Sequence, residues 1–136
     1  MNTNNSIELD FCVVTLRDDG ILESRFDWET SYEIDSKNLK EISNAMTVLS
    51  QGERRGVLSI AGLYGSMTTD ARNVDIKNTY NYTLALALVI HSLSQRLLSN
   101  FYFKIKKTAY PIKTFRTEAE AEEWLSQQIR MSQQAG

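Results

Sequence analysis

Thr83-Leu84-Ala85-Leu86-Ala87-Leu88-Val89-Ile90 opens the stretch that decides the fold. It continues through Leu97-Leu98-Ser99-Asn100-Phe101-Tyr102-Phe103-Lys104-Ile105-Lys106-Lys107, then Tyr110-Pro111-Ile112-Lys113-Thr114-Phe115. It ends in Thr117-Glu118-Ala119-Glu120-Ala121-Glu122-Glu123-Trp124-Leu125. The first run is apolar without alternation, as expected of a strand covered on both faces in the centre of a parallel sheet. Alanine and leucine also suit a helix, but the short run and its polar flanks favour the strand. Leu93, Leu97, Leu98, Phe101 and Ile105 recur at helical spacing, which predicts a third helix with these residues on its inner face. Pro111 biases Tyr110 towards an extended backbone, starting a last strand through Phe115. Thr117 and Glu120 make a capping-box pattern for a last helix whose inner face carries Ala121, Trp124, Leu125 and Gln128.

Working back towards the N-terminus, Ile7 to Val13 alternates apolar and polar residues, the period of a half-buried strand. Arg17-Asp18-Asp19-Gly20 is a turn signal, and Ile21 to Phe26 reads as the returning strand of a hairpin. Asp27 to Glu33 reads as a polar connection dotted with aromatics. Ser36 is expected to cap a first helix with Leu39, Ile42, Met46 and Leu49 on one face, ended by Gln51-Gly52-Glu53. Gly56 to Ala61 is a short strand, and Gly62 to Met67 a loop. Thr68 or Thr69 caps a second helix that runs towards Thr79. The expected fold is α/β: a mixed, mostly parallel sheet with an N-terminal β-hairpin and about four helices, in the order ββαβαβαβα. One domain spans 1–136, with 1–5 and 131–136 expected as frayed tails.

Composition narrows the function classes. The apolar fraction is 42% and the charged fraction 24%, as in an ordinary globular domain. The single cysteine, Cys12, cannot form an internal disulfide, and Met1 to Ser6 lacks a secretory pattern. No apolar run reaches the roughly 20 residues of a membrane span. A cytoplasmic protein is the expectation. Charge is segregated along the chain. Residues 1–75 hold 13 acids and 7 bases, whereas 76–117 hold 7 bases and no acid. Such a chain can present a basic patch to an acidic partner. Lysines at a helix C-terminus, favoured there by the dipole, explain the same pattern.

Few residues suggest catalysis. One histidine, His91, and one cysteine exclude a Cys/His metal cluster, so no metal or cofactor is expected. A Cys12–His91 nucleophilic pair would lack an orienting third group, and Cys12 in a β-run reads as a small buried hydrophobe. No phosphate-cradling glycine motif appears. Phe101, Tyr102 and Phe103 near Lys104, Lys106 and Lys107 only faintly suggest nucleic-acid binding, and a pI near 5.4 opposes it. The richest candidate is the segment Ala61 to Asp70, outside the carboxyl end of a strand, where α/β sheets bind their ligands. Hydroxyls there, at a helix start, suit either capping or phosphorylation.

The words Asn100-Phe101-x-Phe103-Lys104, Pro111-x-x-x-Phe115 and Ala121-x-x-Trp124-Leu125, in this order of elements, resemble the C-terminal half of small bacterial SpoIIAA-like (STAS) proteins. Ser59-Ile60-Ala61-Gly62-Leu63 looks like that family's Asp-Ile-Ser-Gly strand end. Thr68-Thr69-Asp70-Ala71-Arg72 looks like its Thr-Lys-Glu-Ala-Arg helix start. The resemblance implies a non-enzymatic protein-binding module of the anti-sigma-factor-antagonist type. In such proteins an anti-sigma kinase phosphorylates a serine preceded by aspartate at the second helix start, and the unphosphorylated form binds that kinase. The corresponding residues here are Ser66, Thr68 and Thr69, with Tyr64 beside them as a contact. This chain lacks the Asp-Ser step and has Ser59 where aspartate is common. The alternative implied by the fold is a carrier of a small apolar molecule or lipid, with a cavity under the Leu63–Met67 loop and the third helix. An edge formed by the hairpin would also allow a homodimer.

Overall fold

The structure, a computed structural model, describes residues 5–26, 32–61, 65–72, 82–97 and 110–135. Its elements are β1 (Ser6–Glu8), β2 (Cys12–Leu16), β3 (Leu22–Phe26), β4 (Tyr32–Ile34), α1 (Ser36–Ser50), β5 (Arg55–Ile60), β6 (Gly65–Met67), α2 (Thr69–Arg72) and β7 (Thr83–Val89). They are followed by α3, described over 93–97, then β8 (Ile112–Phe115) and α4 (Glu118–Ala135). Six strands form one sheet in the order β1-β2-β3-β5-β7-β8. β1, β2 and β3 pair antiparallel, and β3, β5, β7 and β8 pair parallel. The expected α/β class, mixed sheet and N-terminal hairpin are present.

Two buried clusters sit on opposite faces of the sheet. Val14, Leu22 and Val57 meet Ile42, Met46 and Leu49 of α1. Leu58, Ile60, Ala85, Ala87 and Val89 meet Ala121 and Leu125 of α4. The alternation of side chains along each strand makes both layers from one sequence. In β7 the small residues Ala85 and Ala87 are fully buried against α4, while Leu84, Leu86 and Leu88 on the other face are only partly buried. Trp124 of α4 lies tilted over Phe115 with ring centroids 5.7 Å apart. Charges fasten the same helix at its rim. Arg25 donates to both carboxylate oxygens of Glu118, at 2.8 and 3.2 Å, and Arg17 donates to Glu122 at 3.0 Å. Half-exposed pairs of this kind add about 0.5 kcal/mol each.

Several local expectations are corrected. The run Ile7 to Val13 is two strands, because the chain reverses at Leu9, whose N–H donates to the Cys12 carbonyl at 2.8 Å. The alternation slips at Phe11-Cys12: Cys12 and Val14 are buried in the core, and Phe11 packs half-buried against the same cluster. Tyr32–Ile34, which overlaps the expected connection Asp27 to Glu33, and Gly65–Met67, within the expected loop, form a two-stranded parallel sheet. Asp35, not Ser36, caps α1: its carboxylate accepts the Asn38 N–H at 2.8 Å, and Asn38 Oδ1 accepts the Asp35 N–H at 3.0 Å. Leu93 and Leu97 are exposed rather than inward, while Leu98, Phe101 and Ile105 lie outside the described residues. α4 continues through Ala135, so 131–135 are helical rather than a frayed tail. Other features stand as read. Gln51 and Gly52 end α1 with φ of 57° and 78°, and Gly20 turns the hairpin at φ 86°. Thr117 accepts the Glu120 N–H at 3.3 Å at the start of α4.

Candidate functional site

β5 ends at Ile60, β6 begins at Gly65, and α2 follows at once. The β6–α2 step therefore lies beyond the carboxyl ends of the parallel strands, the usual ligand side of such a sheet. β4 holds β6 in place: Tyr32, Glu33 and Ile34 pair with Gly65, Ser66 and Met67. The Thr68 N–H extends this ladder by donating to the Ile34 carbonyl at 2.9 Å. As β4 runs directly into α1, the ladder sets the starts of α1 and α2 side by side.

Thr68 is the cap of α2. Its hydroxyl accepts the Ala71 N–H at 3.2 Å and donates to the Asp70 carboxylate. Asp70 in turn accepts the Ser36 N–H, at 3.3 Å, from the first turn of α1. One carboxylate thus ties two helix starts together, where backbone N–H groups lack partners of their own. The Thr68 hydroxyl and the Ser36 bonds hold the Asp70 carboxyl down at about 2. Its folded value lies below the ordinary 3.8, so its contribution to stability is present above that value. It is lost as pH falls from 3.8 towards 2. Asp70→Asn is expected to flatten acid unfolding in that window, measured by circular dichroism between pH 5 and pH 2, roughly the range over which such carboxylates titrate. An acid limb unchanged by the substitution would contradict the assignment.

The four residues singled out in the sequence fare differently. Thr68 makes the contacts above. Thr69 is the first residue of α2 and is exposed. Ser66 pairs through its backbone with Glu33. Tyr64 lies outside the described residues. Asp70 belongs to the segment singled out, but its bond to Ser36 is what local reading missed. Their contact spans 34 positions, and no short-range spacing announces it.

The other candidates separate. Cys12 is buried, and burial, with a smaller push from the charge of Glu41, raises its thiol to about 12. It stays protonated at neutral pH. His91 follows β7, three strand spacings from β2, which is about 14 Å. The two do not form a pair. Ser59 lies within the sheet, and its hydroxyl accepts from Ser24 at 3.0 Å. Among the described residues, no three His, Cys, Asp or Glu side chains converge to hold a metal ion. Nor is any described helix long and apolar enough to cross a membrane. An open concavity of about 430 Å³ lies between the β1–β2 turn and the end of β3, lined by Leu9, Phe11, Cys12, Phe26, Ile60 and neighbours. Phe11 and Phe26 stack there with centroids 6.2 Å apart. This is not the Leu63–Met67 position expected for a cavity.

A family model described as a domain of unknown function (DUF7793) matches residues 14–129. The chain belongs to this family. The DUF7793 match takes in both core clusters apart from Cys12, and the whole β4–β6–α2 region. No curated protein matches the chain. A solved structure that resembles this DUF7793 protein is an uncharacterised protein of the DUF3478 family from Shewanella loihica PV-4, described as having a SpoIIAA-like fold. The two share 15% identity with a TM-score of 0.61, over 88% of this chain and 98% of that one. The DUF7793 chain therefore has the SpoIIAA-like fold that its sequence resembles. Identity at this level speaks to fold alone, and function must be argued from the site.

Proposed function

We propose that this protein is a non-enzymatic, cytoplasmic binding module that docks a protein partner at the start of α2, in the manner of an anti-sigma-factor antagonist. The observation that carries the reading is the Thr68–Asp70–Ser36 linkage, in which one exposed carboxylate and one hydroxyl hold two helix starts together. A phosphoryl group on Thr68 would place its charge beside the ionised Asp70 and remove the hydroxyl from its bond. Like-charge repulsion then loosens the α1–α2 junction and the surface it presents. Ser66, one strand residue away from this cap, is the second candidate acceptor. The protonated Cys12 thiol, three strand spacings from His91, supports a role without catalysis.

Titration of a partner recovered from the native host tests this. Thr68→Glu, alone or with Ser66→Asp, is expected to weaken binding about tenfold or more, and Thr68→Ser to leave it unchanged. Equal affinity for the wild type and the acidic variants sinks the proposal. A second reading, a carrier of a small apolar molecule, is favoured by the concavity beside Phe11 and Phe26. A compound released on denaturing extraction of the purified protein would select it.

A further inference from the structure

β2 and β3 run antiparallel, so Cys12, which opens β2, and Phe26, which ends β3, share one end of the sheet. β3 and β5 run parallel, which brings Ile60, the end of β5, to the same place beside Arg25. The turn from Leu9 to Phe11 supplies the remaining wall. The result is the open concavity of about 430 Å³, a size within the roughly 300–1,000 Å³ of small-molecule sites. It stands outside the carboxyl ends of two parallel strands, where such sheets take their ligands. Leu9, Ile60 and the stacked pair of Phe11 and Phe26 make the wall apolar and aromatic.

Charge on the described residues chooses the occupant. Asp10 belongs to the lining, is exposed, and makes no hydrogen bond or ion pair among the described residues. Arg25, the one cation among the described lining residues, is already held. It donates to both carboxylate oxygens of Glu118 and, through Nε, to Glu23 at 3.4 Å. Glu8 lies in register with Val13 of the lining, and the charge of Glu41 reaches Cys12. An unpaired negative charge therefore stands at a wall that includes the Phe11 ring, and ring faces attract cations too. An anionic molecule would meet like charge here, and a neutral one would gain nothing from Asp10. We infer that the concavity binds a small organic cation, its apolar part against Phe11 and its charge at Asp10. The inference rests on the carrier reading of this concavity and names the chemistry of the cargo.

The test titrates the full ¹⁵N-labelled chain with benzyltrimethylammonium, followed by amide chemical shifts. Saturable shifts are expected at Leu9 to Val13 and around Arg25. Asp10→Asn should weaken binding about threefold, as for an exposed ion pair, and rising salt should weaken it further. Asp18→Asn removes an equal charge from an exposed position in the hairpin turn and should leave affinity unchanged. Phe11→Leu should weaken binding about threefold through the lost ring face. Circular dichroism checks the fold of each variant, and Asp10, being exposed, keeps the test sound if Phe11→Leu unfolds. Benzyl alcohol should bind more weakly than the cation, and phenylacetate not at all. Benzyl alcohol or phenylacetate binding as tightly as the cation overturns the inference while the carrier reading stands. Equal affinity of Asp10→Asn and the wild type overturns it likewise. No saturable shift with any of the three compounds overturns both.

Discussion

Leu125→Ala is expected to lower stability by about 4 kcal/mol, near the upper end of the range for buried leucine truncation. Leu125 is fully buried at the centre of the α4 seat. Part of its seat is built of small residues, Gly56 of β5 and Ala85 and Ala87 of β7, in a cluster that also holds Leu58 and Ile60. A methyl group placed on Gly56 would lie 3.4 Å from Leu125 Cδ2 and 3.2 Å from Ile129 Cδ1, so the helix already rides close on the sheet. Side chains this short cannot swing in to fill the space that the truncation opens, and the cavity persists. Urea unfolding followed by tryptophan fluorescence checks the figure, since Trp124 adjoins the site. The exposed neighbour Ser126→Ala should shift stability by no more than about 0.5 kcal/mol. A loss under 1 kcal/mol for Leu125→Ala, on the order of an ordinary surface change, would mean that α4 is not seated as described.

Arg55→Met is expected to cost about 2 kcal/mol through lost hydrogen bonds rather than lost volume. Arg55 opens β5, with a side chain only 14% exposed. Nε donates to the Ser50 carbonyl at 2.9 Å, at the C-terminus of α1 where a cation is favoured. Nη1 donates to the Gly20 carbonyl at 3.3 Å in the hairpin turn, and Nη2 pairs with Glu53 at 3.2 Å. One guanidinium therefore ties the start of β5 to the end of α1, five residues back, and to the hairpin turn, 35 residues back. Methionine keeps the stem but leaves the Gly20 carbonyl without that donor. Arg55→Lys should recover little, because a single ammonium cannot span the three acceptors. Thermal unfolding reads the effect as a drop of roughly 8 °C for a chain of this size. An unchanged midpoint would show that water replaces these bonds without loss.

Much of this architecture was legible in the sequence where one residue type answers one local demand. Asp19-Gly20 signals the hairpin, and the Ile21 N–H indeed donates to Asp19 Oδ1 at 3.1 Å. Thr117 with Glu120 signals the start of α4, and the unbroken run from Thr83 signals the central strand. What stayed hidden depends on partners distant in the chain. β4 and β6 have three residues each, too short for any period, and each becomes a strand only by pairing with the other. The split between β1 and β2 hides inside an alternation that looks continuous until the backbone reverses at Leu9. Of the site, Thr68 and its capping role were readable from Thr68-Thr69-Asp70. The link from Asp70 to Ser36 was not, because it needs the β4–β6 ladder to bring α1 and α2 together. The exposure of Leu93 and Leu97 reverses the usual inference from helical spacing, which reports a stripe and not what covers it.

The central claim is that modification at the start of α2 governs partner docking. Mass spectrometry of the protein isolated from its own host tests it most directly, comparing the fraction that co-elutes with a partner and the free fraction. The account predicts a phosphoryl group mapped to Thr68 or Ser66 in the free fraction, removable by phosphatase, and unmodified chain in the bound one. Phosphorylation equal in the two fractions, or absent from both, would contradict it.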